Sequence, residues 1–406
     1  MGPLMRCVKS LQARRQSVKS SHGQSCWLGL ALICEALLFT LPAAQAQSDS
    51  AAAAPHSPVD TNATLDIPGF KLPYSSLASA QAEQHFIDFV RGFESLSSAL
   101  SPGDDIHVVR EVLDERLMKP GVERLRRTFA VQITPLTIGG VQTDVITPAG
   151  GIPKRNLSRV LINFHGGGFM VGAGFGGQME SIPIASLGGF EVITVNYREA
   201  PENHFPAASE DVARVYRVLL KHYRPQNIGL FGCSSGGLLA AEAVAWFQTH
   251  DLPRPGAIGI FGAGALVDQG DSTYVGRALQ GQSIPAPGAK DNEPYFDVPG
   301  LDLRGALVSP VYSPSTLTKF PPTLLISGTR DVGLSAAAYT HTQMIKQGVN
   351  SSFNVWEGAP HCSFAQPVVD PDEPESREAW DLIIKFFSTH LGASQVHRRS
   401  RDAAHS

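Results

Sequence analysis

The sequence predicts an α/β fold, a mostly parallel sheet with helices on both faces. Three observations predict it. Short, wholly apolar runs alternate with longer runs of helical spacing, the pattern of strands buried on both faces. The apolar run Val160–Phe164 leads straight into His165-Gly166-Gly167-Gly168-Phe169. A second apolar run, 228–231, leads into Gly232-Cys233-Ser234-Ser235-Gly236-Gly237. A glycine loop first and a Gly-x-Ser-x-Gly turn second, each closing a strand, is the order in which an oxyanion-binding loop and a nucleophile elbow occur.

Residues 1–46 read as an export signal. Arg6, Lys9, Arg14, Arg15 and Lys19 precede an apolar run over 27–41, and Ala44-Gln45-Ala46 supplies a small-x-small cleavage pattern. The run is shorter than the roughly 20 residues that span a bilayer. The mature protein is therefore expected to be exported, periplasmic or secreted, with an uncleaved membrane anchor as the alternative. Residues 47–64 read as a linker, 65–391 as one domain, and 392–406 as a disordered polar tail.

Formal net charge is −4, and removing residues 1–46 leaves about −8. Such an acidic body argues against a nucleic-acid partner and is neutral toward a small uncharged substrate. Charged residues are 17% of the chain, too few for wholesale disorder. Cys7, Cys26 and Cys34 lie in the leader, which leaves Cys233 and Cys362. Two cysteines make no disulfide framework. They flank Ser234 and His361, so a bridge is one reading. Two small buried thiols is the favoured one, because a bridge would stiffen loops that handle protons. There is no His-x-His, Cys-x-x-Cys or His-Glu-x-x-His spacing, and no metal or other cofactor is called for.

The elements follow in order. Residues 79–100 carry Phe86, Phe89, Val90, Phe93 and Leu96 at helical spacing, as a core helix or as part of a cap. Segments 129–135 and 143–147 suit an antiparallel pair joined at Gly139-Gly140. Buried strands are expected at Val160–Phe164, 192–197, 228–231, Ala257–Phe261, 323–327 and 353–356, with helices at 207–223, 238–249 and 379–391. The Gly-, Pro- and Asp-rich stretch 268–303 breaks the alternation and, with 65–115, is expected to form the cap.

The chemistry concentrates in three places. A hydroxyl becomes a nucleophile only when a base takes its proton and donors receive the oxyanion it creates. Ser234 sits where the strand-to-helix turn thrusts a hydroxyl above the sheet. The loop glycines Gly166, Gly167 and Gly168, together with the backbone N–H of Ser235, are the candidate oxyanion donors. The loop lacks the Gly-Lys-Ser/Thr ending of a nucleotide-binding loop, which weighs against phosphate. His165 is read as structural, its ring tying the loop to backbone. After 323–327 comes Gly328-Thr329-Arg330-Asp331, and after 353–356 comes Glu357-Gly358-Ala359-Pro360-His361. Asp331 and His361 complete the order nucleophile, acid, histidine. Glu357 is the runner-up acid.

With those motifs in view, the chain resembles the hormone-sensitive-lipase-like branch of the α/β-hydrolases, the bacterial esterases with an HGGGF loop. The likeness runs from about residue 160 to 391. It includes Tyr197-Arg198-Glu199-Ala200-Pro201-Glu202, Phe205-Pro206-Ala207-Ala208 and Glu210-Asp211-Val212. The approach to His361 looks like that of monoterpene lactone hydrolases. The resemblance implies an eight-stranded sheet, a helical cap from the amino-terminal segment, and cofactor-free hydrolysis of short-to-medium acyl esters through an acyl-enzyme. A lactone hydrolase or acyltransferase with the same residues is the alternative, and a non-catalytic binding protein the more distant one. The elbow departs from the family's usual Asp-Ser-Ala, having Cys233-Ser234-Ser235, and the leader departs from its many cytoplasmic members.

Overall fold

The computed structural model describes residues 63–392 apart from 66, 68, 70, 102, 268–269 and 287–293. The export signal, most of the linker and the tail from residue 393 lie outside the described residues. The chain runs α1 (Ala80–Ser97), α2 (Ile106–Leu113), a π turn (Asp114–Met118), α3 (Lys119–Thr128), β1 (Val131–Ile138), β2 (Val141–Pro148), β3 (Val160–Phe164), α4 (Phe175–Gly188) and β4 (Glu191–Val195). It continues α5 (Ala207–Leu219), β5 (Ile228–Cys233), α6 (Ser235–Thr249), β6 (Ala257–Phe261), α7 (Ser272–Leu279), β7 (Thr323–Gly328), α8 (Leu334–Lys346), β8 (Ser351–Trp356) and α9 (Pro374–His390).

The eight strands lie in the order β1-β2-β4-β3-β5-β6-β7-β8. β1 and β2 pair antiparallel, β2 meets β4 antiparallel, and the other neighbours are parallel. Alternation along each strand sends successive side chains to opposite faces. In β3, Val160, Ile162 and Phe164 join a core with Tyr216, Leu219, Leu239 and Met344 from α5, α6 and α8. Leu161 points the other way, into a core with Ile182, Trp380, Ile383 and Phe387 from α4 and α9. Both faces are covered, and each fully buried aliphatic or aromatic side chain contributes about 1.5–3 kcal/mol. That explains why the strands read as continuous apolar runs.

The order of strands reverses at β3: β4 lies on one side of it and β5 on the other. The loops leaving the carboxyl ends of β3 and β5 are therefore neighbours that diverge to opposite faces. A crevice at such a switch point is where open α/β sheets bind ligands. The glycine loop and the Ser234 turn are those two loops.

Among the described residues, no helix is long and apolar enough to cross a membrane. The helix α4 was not foreseen. It is buried on nearly every side and carries Pro183, so it shows no amphipathic stripe to read.

Candidate active site

Ser234 is held at φ +57°, a left-handed conformation uncommon for a residue with a side chain. Its N–H donates to Phe261 O at 2.8 Å, and its own carbonyl starts α6 by accepting from Gly237 and Leu238. A serine at a helix N-terminus ordinarily caps it. Here the hydroxyl makes no cap bond. The turn is possible because a Cβ on Gly232 or Gly236 would collide with the Phe164 carbonyl, and one on Gly237 would lie 3.0 Å from Phe261 O.

The glycine loop is strained as well. Gly167, Gly168 and Phe169 have φ of +117°, +60° and +58° in succession. Its base is fixed by His165, fully buried, whose ring stacks on Tyr197 with centroids 4.1 Å apart. Since a carbonyl only accepts, His165 Nδ1 donates to Gly166 O at 2.9 Å, while Tyr197 OH donates to His165 O at 2.8 Å. Burial pushes the imidazole down to about 4, which keeps it neutral. Phe169 points away from the loop and stacks on Tyr295 at 4.4 Å.

The loop and the turn touch. A Cβ on Gly166 would lie 3.3 Å from Ser234 Cβ. The Gly166 N–H, expected among the oxyanion donors, donates instead to Glu180 Oε1 at 2.9 Å. Gly167, Gly168 and Ser235 are left as candidates. Ser235 is the first residue of α6, whose leading N–H groups lack intrahelical partners.

Asp331 and His361, 30 residues apart in sequence, meet at the neighbouring strand ends. His361 Nδ1 lies 2.6 Å from Asp331 Oδ1. Asp331 also accepts from Gly333 N at 2.7 Å and from Ser327 Oγ at 2.8 Å. Burial by itself raises its carboxyl, but the charge and hydrogen bond of His361, with those two further donors, outweigh burial and hold it below the ordinary value. Glu357 is exposed and stands apart.

Cys233 and Cys362 form a disulfide, with Cα atoms 6.2 Å apart. This corrects the expectation of two separate buried thiols. The end of β5 and the loop after β8 converge near Gly262, where an added Cβ would lie 2.7 Å from Cys362 Sγ and 3.1 Å from His361 Cε1.

Ser234, His361, Gly166 and Gly167 border one cavity of about 280 Å³. Its other walls are mostly apolar, with Phe89, Phe93 and Leu96 of α1, Leu117 and Met118 of the π turn, and Val171 and Met179, and with Glu180 and Gln366 as polar exceptions. The amino-terminal segment thus roofs it. No described residue of 268–303 lines it. That stretch flanks the site instead, through Gln280, whose Oε1 accepts the His361 N–H at 3.3 Å. Phe86, on the same helix as Phe89 and Phe93, instead packs on Tyr74 beneath Arg330, and Phe169 belongs to the core.

Sequence reasoning missed Glu180, the sole ionisable residue in the 14-residue helix α4. A lone charge in an otherwise uncharged segment was the available signal.

The chain is similar to known proteins. Residues 161–365 match a family model described as the alpha/beta hydrolase fold. The chain is 29% identical over 260 residues to an acetyl-hydrolase of Streptomyces hygroscopicus, covering 63% of this chain and 83% of that protein. It is 26% identical over 302 residues to the carboxylesterase/phospholipase LipF of Mycobacterium tuberculosis, covering 70% and 75%. The crystal structure of esterase E25 superposes with a TM-score of 0.65 at 28% identity, over 81% of this chain and 99% of that one. The chain belongs to the α/β-hydrolase fold family, as its glycine loop and serine turn predicted.

Proposed function

We propose that this protein is a serine hydrolase of carboxylic esters that works through an acyl-enzyme. The observation that carries the reading is the 2.6 Å contact of His361 Nδ1 with the buried Asp331, in an imidazole that borders the same cavity as Ser234. With Nδ1–H committed to Asp331, Nε2 holds the lone pair. It takes the proton of Ser234 as Oγ attacks the substrate carbonyl. The N–H groups of Gly167, Gly168 and Ser235 receive the developing oxyanion. His361 then returns the proton to the departing alcohol, and water enters by the same route in reverse to release the acid. The apolar walls suit an acyl or alcohol group of short to medium length. The acetyl-hydrolase and carboxylesterase names of the relatives support the bond type.

Export by residues 1–46 belongs to the same reading, and the Cys233–Cys362 bridge supports it, since disulfides persist in oxidising compartments. The test is direct. Ser234→Ala should lose at least about 10³-fold in p-nitrophenyl butyrate turnover, and a fluorophosphonate should label Ser234 in the wild type. Retained turnover in the variant, or an unlabelled wild type, would overturn the assignment.

A further inference from the structure

Glu180 is a carboxyl that the proposed chemistry does not use, yet it faces the reacting groups. It is the one carboxylate among the described residues lining the cavity. Its partners come from three different elements. Oε1 accepts the Gly166 N–H at 2.9 Å, and Oε2 accepts Asn163 Nδ2 at 2.8 Å and the Cys233 N–H at 3.2 Å. Gly166 immediately precedes the candidate donors Gly167 and Gly168, and Cys233 immediately precedes Ser234. Asn163 is itself fixed, because its Oδ1 accepts from Thr194 Oγ1 at 2.9 Å, which turns Nδ2 toward Glu180. A Cβ on Gly166 would lie 3.0 Å from Cys233 O, so the carboxyl spans loop and elbow where the two are in contact.

We propose that Glu180 is a positioning residue that sets the spacing between the oxyanion donors and the nucleophile. Two strained loops leave neighbouring strands whose ladder pairs them as far as Phe164 and Gly232, and beyond that pair their mutual distance still has to be set. One carboxyl accepting an N–H from each sets it. Burial pushes it up to about 8, outweighing its three hydrogen bonds, but each oxygen keeps an acceptor lone pair in either protonation state. The inference rests on the ester-hydrolase reading above.

Glu180→Gln tests it. The amide has the same shape but one acceptor oxygen, so either Gly166 or Cys233 must face an NH₂. An ångström of misplacement costs on the order of 10²-fold. The expected result is a fall in kcat of about 10- to 100-fold for p-nitrophenyl butyrate. KM should stay within about threefold, since ground-state binding to the apolar walls is untouched. A trifluoromethyl ketone, whose serine adduct places an oxyanion in the same position, should lose affinity in proportion to kcat. A folded variant with kcat within about twofold of wild type overturns the proposal. So does a loss confined to KM, which would make Glu180 a substrate contact. If Glu180→Gln does not fold, Glu180→Asp keeps both acceptors but loses a methylene of reach, and the same kcat loss is expected. Failure of both to fold assigns Glu180 to the fold alone and overturns the proposal too. A wild type that is inactive on esters and unlabelled by fluorophosphonate sinks the ester-hydrolase reading itself. A labelled wild type with an unaltered Glu180→Gln sinks only this inference.

Discussion

Cys233 is bonded to Cys362, so one covalent tie joins the residue before Ser234 to the residue after His361. The two loops that carry the proposed nucleophile and base are closed into a ring across 129 residues of sequence. Closing so long a loop constrains the unfolded chain more than the folded one.

Reduction should therefore destabilise the protein. Treatment with a phosphine reductant, or the Cys233→Ala/Cys362→Ala double variant, is expected to cost about 2–5 kcal/mol. Urea denaturation with and without reductant measures it. An unchanged midpoint in fully reduced protein would show that the bridge adds nothing.

Ser234→Gly should fold more stably than Ser234→Ala. Ser and Ala both carry a Cβ at φ +57°, whereas glycine adopts that conformation freely. Strain of this kind is worth about 1–3 kcal/mol. Since the hydroxyl caps nothing, its loss should not offset the gain. Paired denaturation curves decide it, and equal midpoints would mean that the turn is unstrained.

Asp331→Asn should reduce kcat about 10⁴-fold by leaving His361 in the wrong tautomer. It should also alter acid stability. Asp331 titrates below its unfolded value, so its ionised form contributes stability above about pH 4, lost as pH falls through the folded pKa. The variant should lack that part of the acid-induced loss. A stability profile from pH 5 to pH 2 that parallels the wild type would contradict this.

Glu180 and Glu199 have the opposite sign. Burial raises them to about 8 and about 7, so the native state holds protons that the unfolded chain has released above about pH 4.5. Their stabilising contribution is complete at low pH and lost as pH rises through those values. Stability should therefore decline from about pH 5 to about pH 8, and Glu180→Gln should flatten the decline. A variant profile as steep as the wild type's would remove Glu180 as its source.

The apolar cavity predicts a chain-length series. Each methylene of the ester buried against Phe89, Phe93 and Leu96 should raise kcat/KM by up to about fourfold, the equivalent of about 0.8 kcal/mol, until the space fills. Phe93→Ala should move the optimum to longer esters. A flat series would indicate that this cavity does not receive the substrate.

Much of the molecule was legible in the sequence, and the reason is local. Strands buried on both faces must be continuously apolar, so β3 and β6 were found to the residue and the others to within a few positions. The turns at Ser234 and at Gly167-Gly168 could be read because backbone sterics permit such turns to few residues, whereas the reading of Gly166 as an oxyanion donor failed because its N–H goes to Glu180. Asp331 and His361 followed from chain order. The distances that matter were not legible. That Asp331 lies 2.6 Å from His361, that Cys233 reaches Cys362, and that Glu180 takes the Gly166 N–H depend on which strands and helices the fold makes neighbours, such as β7 beside β8 and β3 beside β5. Sequence determined which groups stand at the strand ends, because propensity and burial act within a few residues. Tertiary structure alone decided which of them touch, because contacts between residues tens to more than a hundred positions apart are set by how the sheet is ordered and packed.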